Sequence, residues 1–294
     1  MVIAVLGLIA ATQAKATAQG TSDADAVVTT TRVSGNFYSL SVPGGTVGAL
    51  VGSDGILMID TQYSPVTDKM IAALRQISSL PIRFLINTHY HGDHAGGNEK
   101  VAKLGATIFA RDEVRESLKN PGNAPDGTPI PPTAPAGLPM VTFRDGLTLH
   151  MDDEEVSVIP IAHAHSGGDS IVVFHSADVI MTGDIFRSVG FPLLDARDGG
   201  TFNGMIDGVG AILGMAGPNT KIVPGHGPTT DRAAVIVWRD MLTSVRDRVE
   251  EMIRQGKTKE ETMAAHITGE FEAKTGRPAD SGARFVGQVY AELK

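Results

Sequence analysis

The sequence predicts an α/β fold. Two observations carry that prediction: short apolar runs of strand length alternate with longer stretches of helical periodicity, and the chemically distinctive residues gather where apolar runs end. A third is size, since 294 residues of which 42% are hydrophobic suffice for one large core. Strand-like runs lie near 26–33, 36–42, 47–52, 56–60, 82–87, 106–110, 140–150, 154–161, 170–175, 178–183 and 221–224. Helix-like runs lie near 65–78, 98–104, 111–118, 203–215, 230–255 and 259–274.

The chain opens on an apolar stretch, Val2 to Ala11. It is too short to cross a bilayer of about 30 Å. Ala14-Lys15-Ala16 and Ala16-Thr17-Ala18 follow as small-residue cleavage sites, with only the α-amino group as positive charge before them. Residues 1–20 therefore read as a secretory signal peptide. They leave 21–294 as a single domain without a membrane span, in the periplasm or outside the cell. The run from Pro81 to Asn87 starts at a proline and reads as a buried strand. Ala95-Gly96-Gly97-Asn98 then permits a tight turn, and a helix carries Glu99, Val101 and Leu104 to a stop at Gly105. Residues 120–139, rich in proline, glycine, alanine and threonine, form a loop placed where it could act as a lid. Val235, Trp238, Leu242, Val245, Val249 and Ile253 mark the apolar face of a long amphipathic helix, and a further helix carries Met263 to Phe271.

Composition narrows the function. Net charge is −8 and no basic run is present, which argues against nucleic acid and for a small-molecule substrate. There is no cysteine, so no thiolate can bind metal.

The chemistry concentrates in His89-Tyr90-His91-Gly92-Asp93-His94. Three imidazoles and a carboxylate within six residues are ordinary zinc ligands, set at the carboxyl end of a strand where open α/β sheets bind ligands. The spacing is not that of a zincin helix. His226 lies between glycines and prolines after the apolar Lys221-Ile222-Val223, well placed to face a site. His163 and His165 follow a strand, and either or both could face the same site, because residues two apart share a strand face. His150, His175 and His266 read as surface residues. Asp184 closes the apolar run from Val179, where a carboxylate is costly unless it pairs or binds metal.

Together these residues resemble the metallo-β-lactamase superfamily from about residue 30 to about residue 230, with five motifs in order. The resemblance implies two mixed β-sheets packed face to face with helices on both outer faces, a four-layer αβ/βα sandwich. It implies one metal on His89, His91 and His165, a second on Asp93, His94 and His226, a bridging Asp184, and Asp60 standing behind the metals. It selects His165 over His163, because the family histidine precedes a small residue, a glycine and usually an aspartate. Two zinc ions are the implied cofactors, although imidazole and carboxylate also suit iron and manganese. Zinc lowers the pKa of bound water to about 7, and Asp93 would orient the resulting hydroxide. Arg187, three residues after Asp184, would bind a substrate carboxylate. The implied activity is hydrolysis of amide or ester bonds, β-lactams included. Asp184 departs from the cysteine-free lactamases and is closer to the superfamily's lactonases and glyoxalase-II-like thioesterases. An iron-dependent persulfide dioxygenase is a further alternative, but that family uses one iron on two histidines and an aspartate.

Overall fold

Parallel pairing of the most apolar runs sets the architecture. The computed structural model describes residues 26–123, 127–275 and 279–294. The expected signal peptide, 1–20, lies outside them, as do 124–126 of the expected lid. One sheet has seven strands in chain order: β1 (Thr29–Ser34), β2 (Phe37–Val42), β3 (Gly45–Gly52), β4 (Gly55–Ile59), β5 (Ile82–Ile86), β6 (Thr107–Arg111) and β7 (Val141–Phe143). Its first four strands pair antiparallel and β4 to β7 pair parallel. The other sheet has the order β12 (Lys221–Val223), β11 (Val179–Met181), β10 (Ser170–Phe174), β9 (Glu154–Pro160), β8 (Leu147–Met151), with only β11 and β12 parallel.

Alternation of side chains sorts the apolar residues into layers. Phe37, Leu57 and Ile86 of the first sheet meet Val158, Phe174 and Val223 of the second in a shared core. The outer face of the first sheet is covered by α1 (Ser64–Ile77) and α3 (Asn98–Lys103), through Met70, Leu74 and Val101. The outer face of the second packs on α5 (Phe202–Met215) and α6 (Arg232–Arg254), where Val209, Trp238 and Leu242 join Ile171 and Ile222. This is the expected four-layer sandwich. A short α2 (Gly92–Ala95) lies within the histidine motif, and α4 (Asp112–Lys119) follows β6.

Three segments differ from the sequence reading. The run 140–150 is two strands, β7 and β8, in different sheets. The chain crosses between sheets at Gly146, which has φ +104° and whose Cβ would stand 2.7 Å from the Val158 carbonyl. The run 259–274 divides into α7 (Lys259–Ala264) and α8 (Gly269–Thr275), with His266 at φ 50° between them. Finally, α9 (Ala279–Leu293) was not expected, because Gly282 and Gly287 weaken its helical signal. Both glycines are contact points, since a Cβ would stand 2.3 Å from Thr268 Oγ1 at the first and 2.8 Å from Met263 Sδ at the second.

Candidate metal centre

Strands that run parallel deliver their carboxyl ends to one edge of a sheet. Asp60 follows β4, residues 89–94 follow β5, Asp184 follows β11 and His226 follows β12, while His165 lies in the loop between β9 and β10.

His89, His91 and His165 form the first group. His91 Nδ1 stands 2.9 Å from His165 Nε2 and 3.2 Å from His89 Nε2. The opposite nitrogen of each ring is already committed. The Thr88 hydroxyl donates to Asp60 Oδ2 at 2.8 Å, so it accepts from His89 Nδ1 at 3.1 Å. His165 Nδ1 donates to the Leu193 carbonyl at 2.6 Å, and His91 Nε2 donates to Asp195 Oδ2 at 2.9 Å. Each ring carries its proton outward and turns a lone pair inward. Converging lone pairs repel unless a cation lies among them. Burial, reinforced by the neighbouring imidazoles, holds His89 well below its ordinary pKa and lowers His165 to about 4, which keeps both neutral and ready to ligate.

His94, His226, Asp93 and Asp184 form the second group. His94 Nδ1 donates to Asp60 Oδ2 at 2.8 Å. Its Nε2 lies 3.3 Å from Asp184 Oδ1, yet both atoms are buried and neither has a hydrogen-bond partner among the described residues. Orphaned buried atoms are rare and costly, and a cation would satisfy both. His226 Nε2 is 3.1 Å from Asp184 Oδ2 and 3.2 Å from Asp93 Oδ2. Asp184 Oδ2 also lies 3.8 Å from His165 Nε2, which places this carboxylate between the two groups. His89/His91/His165, His89/His94/Asp184 and Asp93/His94/His226 each gather ligand atoms within 4.8 Å of one another and could hold a metal ion. The donor set, nitrogen and oxygen without sulfur, fits zinc, iron or manganese.

The profile of the metallo-beta-lactamase superfamily matches residues 41–247. The chain belongs to the metallo-β-lactamase superfamily. Its fold is similar to that of a metallo-beta-lactamase from Pontibacter korlensis, with a TM-score of 0.62 and 17% identity, covering 74% of this chain and 99% of that one. DIM-1 metallo-beta-lactamase gives 0.60 and 15%, over 74% and 99%. The stereoselective inverting sec-alkylsulfatase Pisa1 from Pseudomonas sp. gives 0.68 and 17%, over 91% of this chain and 51% of that one. At these identities the likeness is one of fold.

On this superfamily fold, every histidine and aspartate that the family resemblance assigns to the site converges there, whereas one residue that strand spacing alone allowed is turned away. That residue is His163. β9 ends at Pro160, so the two-residue rule no longer applies, and His163 turns outward at φ 54° to the Gly199 carbonyl. His150, His175 and His266 are exposed, as expected. Asp60, buried at φ 61°, is held in that strained conformation by Thr88 N at 2.8 Å, the Thr88 hydroxyl and His94. Arg187 lines a cleft of about 360 Å³ with Tyr63, Asp93, Asp184, Leu193 and His226, and its buried Nε has no hydrogen-bond partner among the described residues. None of the described residues of 120–139 lines that cleft.

The sequence reading missed Asp195 and the Leu193 carbonyl. The only available signal was an apolar run, Phe191 to Leu194, closed by a carboxylate, the pattern that singled out Asp184. Burial would raise the Asp195 pKa, but hydrogen bonds from His91 and Tyr90 hold it far below the usual carboxylate range. Asp195→Ala frees the His91 ring, and metal affinity is expected to fall roughly 10–100-fold. Competition with a chromophoric chelator measures this, and unchanged affinity would deny Asp195 that role.

The two groups should also differ in acid. Burial alone would lower His94 and His226, but carboxylates outweigh it: Asp60, Asp93 and Asp184 hold His94 well above its ordinary value, and Asp184 raises His226. Protons and cations compete for the same imidazoles. As pH falls, the raised pair binds protons first, whereas His89 and His165 stay neutral further down. Metal content after dialysis at stepped pH is therefore expected to fall in two separate steps, the His94/His226 group losing its cation before the His89/His91/His165 group. Simultaneous release of both would refute this order.

Proposed function

We propose that the chain is a dinuclear zinc hydrolase that opens amide or ester bonds, β-lactams included. The observation that carries this reading is Asp184, whose two oxygens face His94 on one side and His226 and His165 on the other. His89, His91 and His165 would hold one cation and Asp93, His94 and His226 the other, with the Asp184 carboxylate lying between the two groups. When bound, such cations polarise a carbonyl and supply hydroxide at neutral pH. Asp93 orients the attacking water through its carboxylate. Arg187 binds a substrate carboxylate through its guanidinium, whose buried Nε has no hydrogen-bond partner among the described residues, and Asp60 fixes the His94 tautomer from behind. Substrates are small molecules, and the mature chain acts in the periplasm or outside the cell.

Asp184 also favours a second reading, a lactonase or thioesterase, since a carboxylate between the two groups departs from the cysteine-free lactamases that the other ligands resemble. The test is metal content together with turnover of a chromogenic cephalosporin, a lactone, a thioester and an alkyl sulfate. Two zinc ions with cephalosporin turnover supports the first reading. Two zinc ions with lactone or thioester turnover alone supports the second. A single iron overturns both and points to persulfide oxidation.

A further inference from the structure

The superfamily profile stops at residue 247, before α7, α8 and α9. Even so, α9 reaches the segment that closes the metal centre. Gln288 Nε2 donates to the Leu194 carbonyl at 3.1 Å. Leu194 lies between the two residues that hold imidazoles, Leu193 on His165 and Asp195 on His91. Phe285, fully buried one turn earlier, stacks on Phe191 with ring centroids 6.0 Å apart and meets the Phe202 ring edge-on at 5.7 Å. Gly282, a turn earlier again, brings the helix so close that a Cβ would stand 3.2 Å from the Phe191 ring. Glu292 accepts from the backbone N–H groups of Phe202 and Asn203, at the start of α5. These positions follow helical spacing and form one face of α9. That face grips the 191–202 segment at both ends.

The segment needs such support. It joins no sheet, and its regular structure is a single 3-10 turn, Ala196–Asp198. In place of ladder bonds, Asp195 N–H donates to the His165 carbonyl and Thr201 N–H to the Ala164 carbonyl, both at 2.9 Å; α9 adds to these anchors, and ligands must be held to about half an ångström.

We propose that α9 braces the metal centre, with Gln288 as a positioning residue. Through the Leu194 carbonyl it fixes Leu193 and Asp195, and through them the orientation of His165 and His91. The proposal rests on the reading of His89, His91 and His165 as a cation site.

Gln288→Glu tests it, because it keeps the side-chain size while removing the amide donor. Arg284→Ala, at an exposed position on the same helix, is the control. Zinc affinity by chelator competition, the cobalt(II) absorption spectrum and thermal unfolding of the metal-free protein are measured on the full chain. Affinity in Gln288→Glu is expected to fall roughly three- to tenfold, less than the roughly 10–100-fold of a direct partner of a metal ligand, because Gln288 acts one contact further out. The cobalt bands shift, and metal-free unfolding and the control match the parent protein. A parent protein that takes up no metal overturns the cation-site reading and the proposal with it. A parent that binds metal while Gln288→Glu matches it within about twofold overturns the brace alone. An affinity loss with an equivalent loss of metal-free thermal stability assigns Gln288 to packing and also overturns the brace.

Discussion

Asp184→Asn is expected to lower turnover roughly a thousandfold, about 4 kcal/mol in activation free energy, and to remove at least one of two bound cations. Asp184 lies between the two groups, so the substitution is expected to weaken both at once. Its Oδ1 lies 3.3 Å from His94 Nε2, and its Oδ2 lies 3.1 Å from His226 Nε2 and 3.8 Å from His165 Nε2. An amide keeps the shape but removes the charge, and it brings N–H donors towards nitrogens that should offer lone pairs. The ionised state is well prepared for its task. Burial would raise the Asp184 pKa, yet His226 and His94 hold it well below the usual carboxylate range. The measurement is metal content beside kcat for whichever substrate of the panel is turned over, with circular dichroism to confirm the fold. Two cations and near-parental kcat would remove Asp184 from the centre of the mechanism.

His226→Ala is expected to behave differently, leaving one cation bound and cutting turnover about a hundredfold, close to 2.7 kcal/mol. His226 belongs to the Asp93/His94/His226 group only, so the three converging imidazoles of the other group stay in place to ligate. Its loop is shaped for this position. A Cβ on Gly225 would fall 2.1 Å from Asp184 Oδ1, so the backbone before His226 passes against the shared carboxylate as only glycine allows. The side chain is partly exposed, and its removal opens no cavity in the core. Parental turnover with two cations in this variant would show that the second group is assigned to the wrong residues.

The contrast between the two variants follows from features of unequal legibility. The ligands of residues 89–94 can be read directly, because six consecutive residues on a strand-to-helix loop stay together whatever the rest of the chain does. His226 and Asp184 can be read because each ends an apolar strand, and burying a histidine or carboxylate there needs a reason. The choice between His163 and His165 could not be made from strand periodicity, since β9 ends at Pro160 and the loop beyond obeys no fixed period. The crossing at Gly146 was hidden for a related reason, as apolar residues on either side looked like one continuous strand.

The sequence by itself determined the α/β class, most of the strands and helices, and the residue types that could ligate metal, because hydrophobic periodicity and ligand chemistry are local properties of the chain. Only the tertiary structure decided what holds those ligands still. The contact of Asp195 with His91 spans 104 residues, the acceptor for His165 is a backbone carbonyl that any amino acid would supply, and α9 declares its role through two glycines that weaken it as a helix. Orientation of a ring depends on atoms brought together across the fold, and no one-dimensional pattern records that proximity.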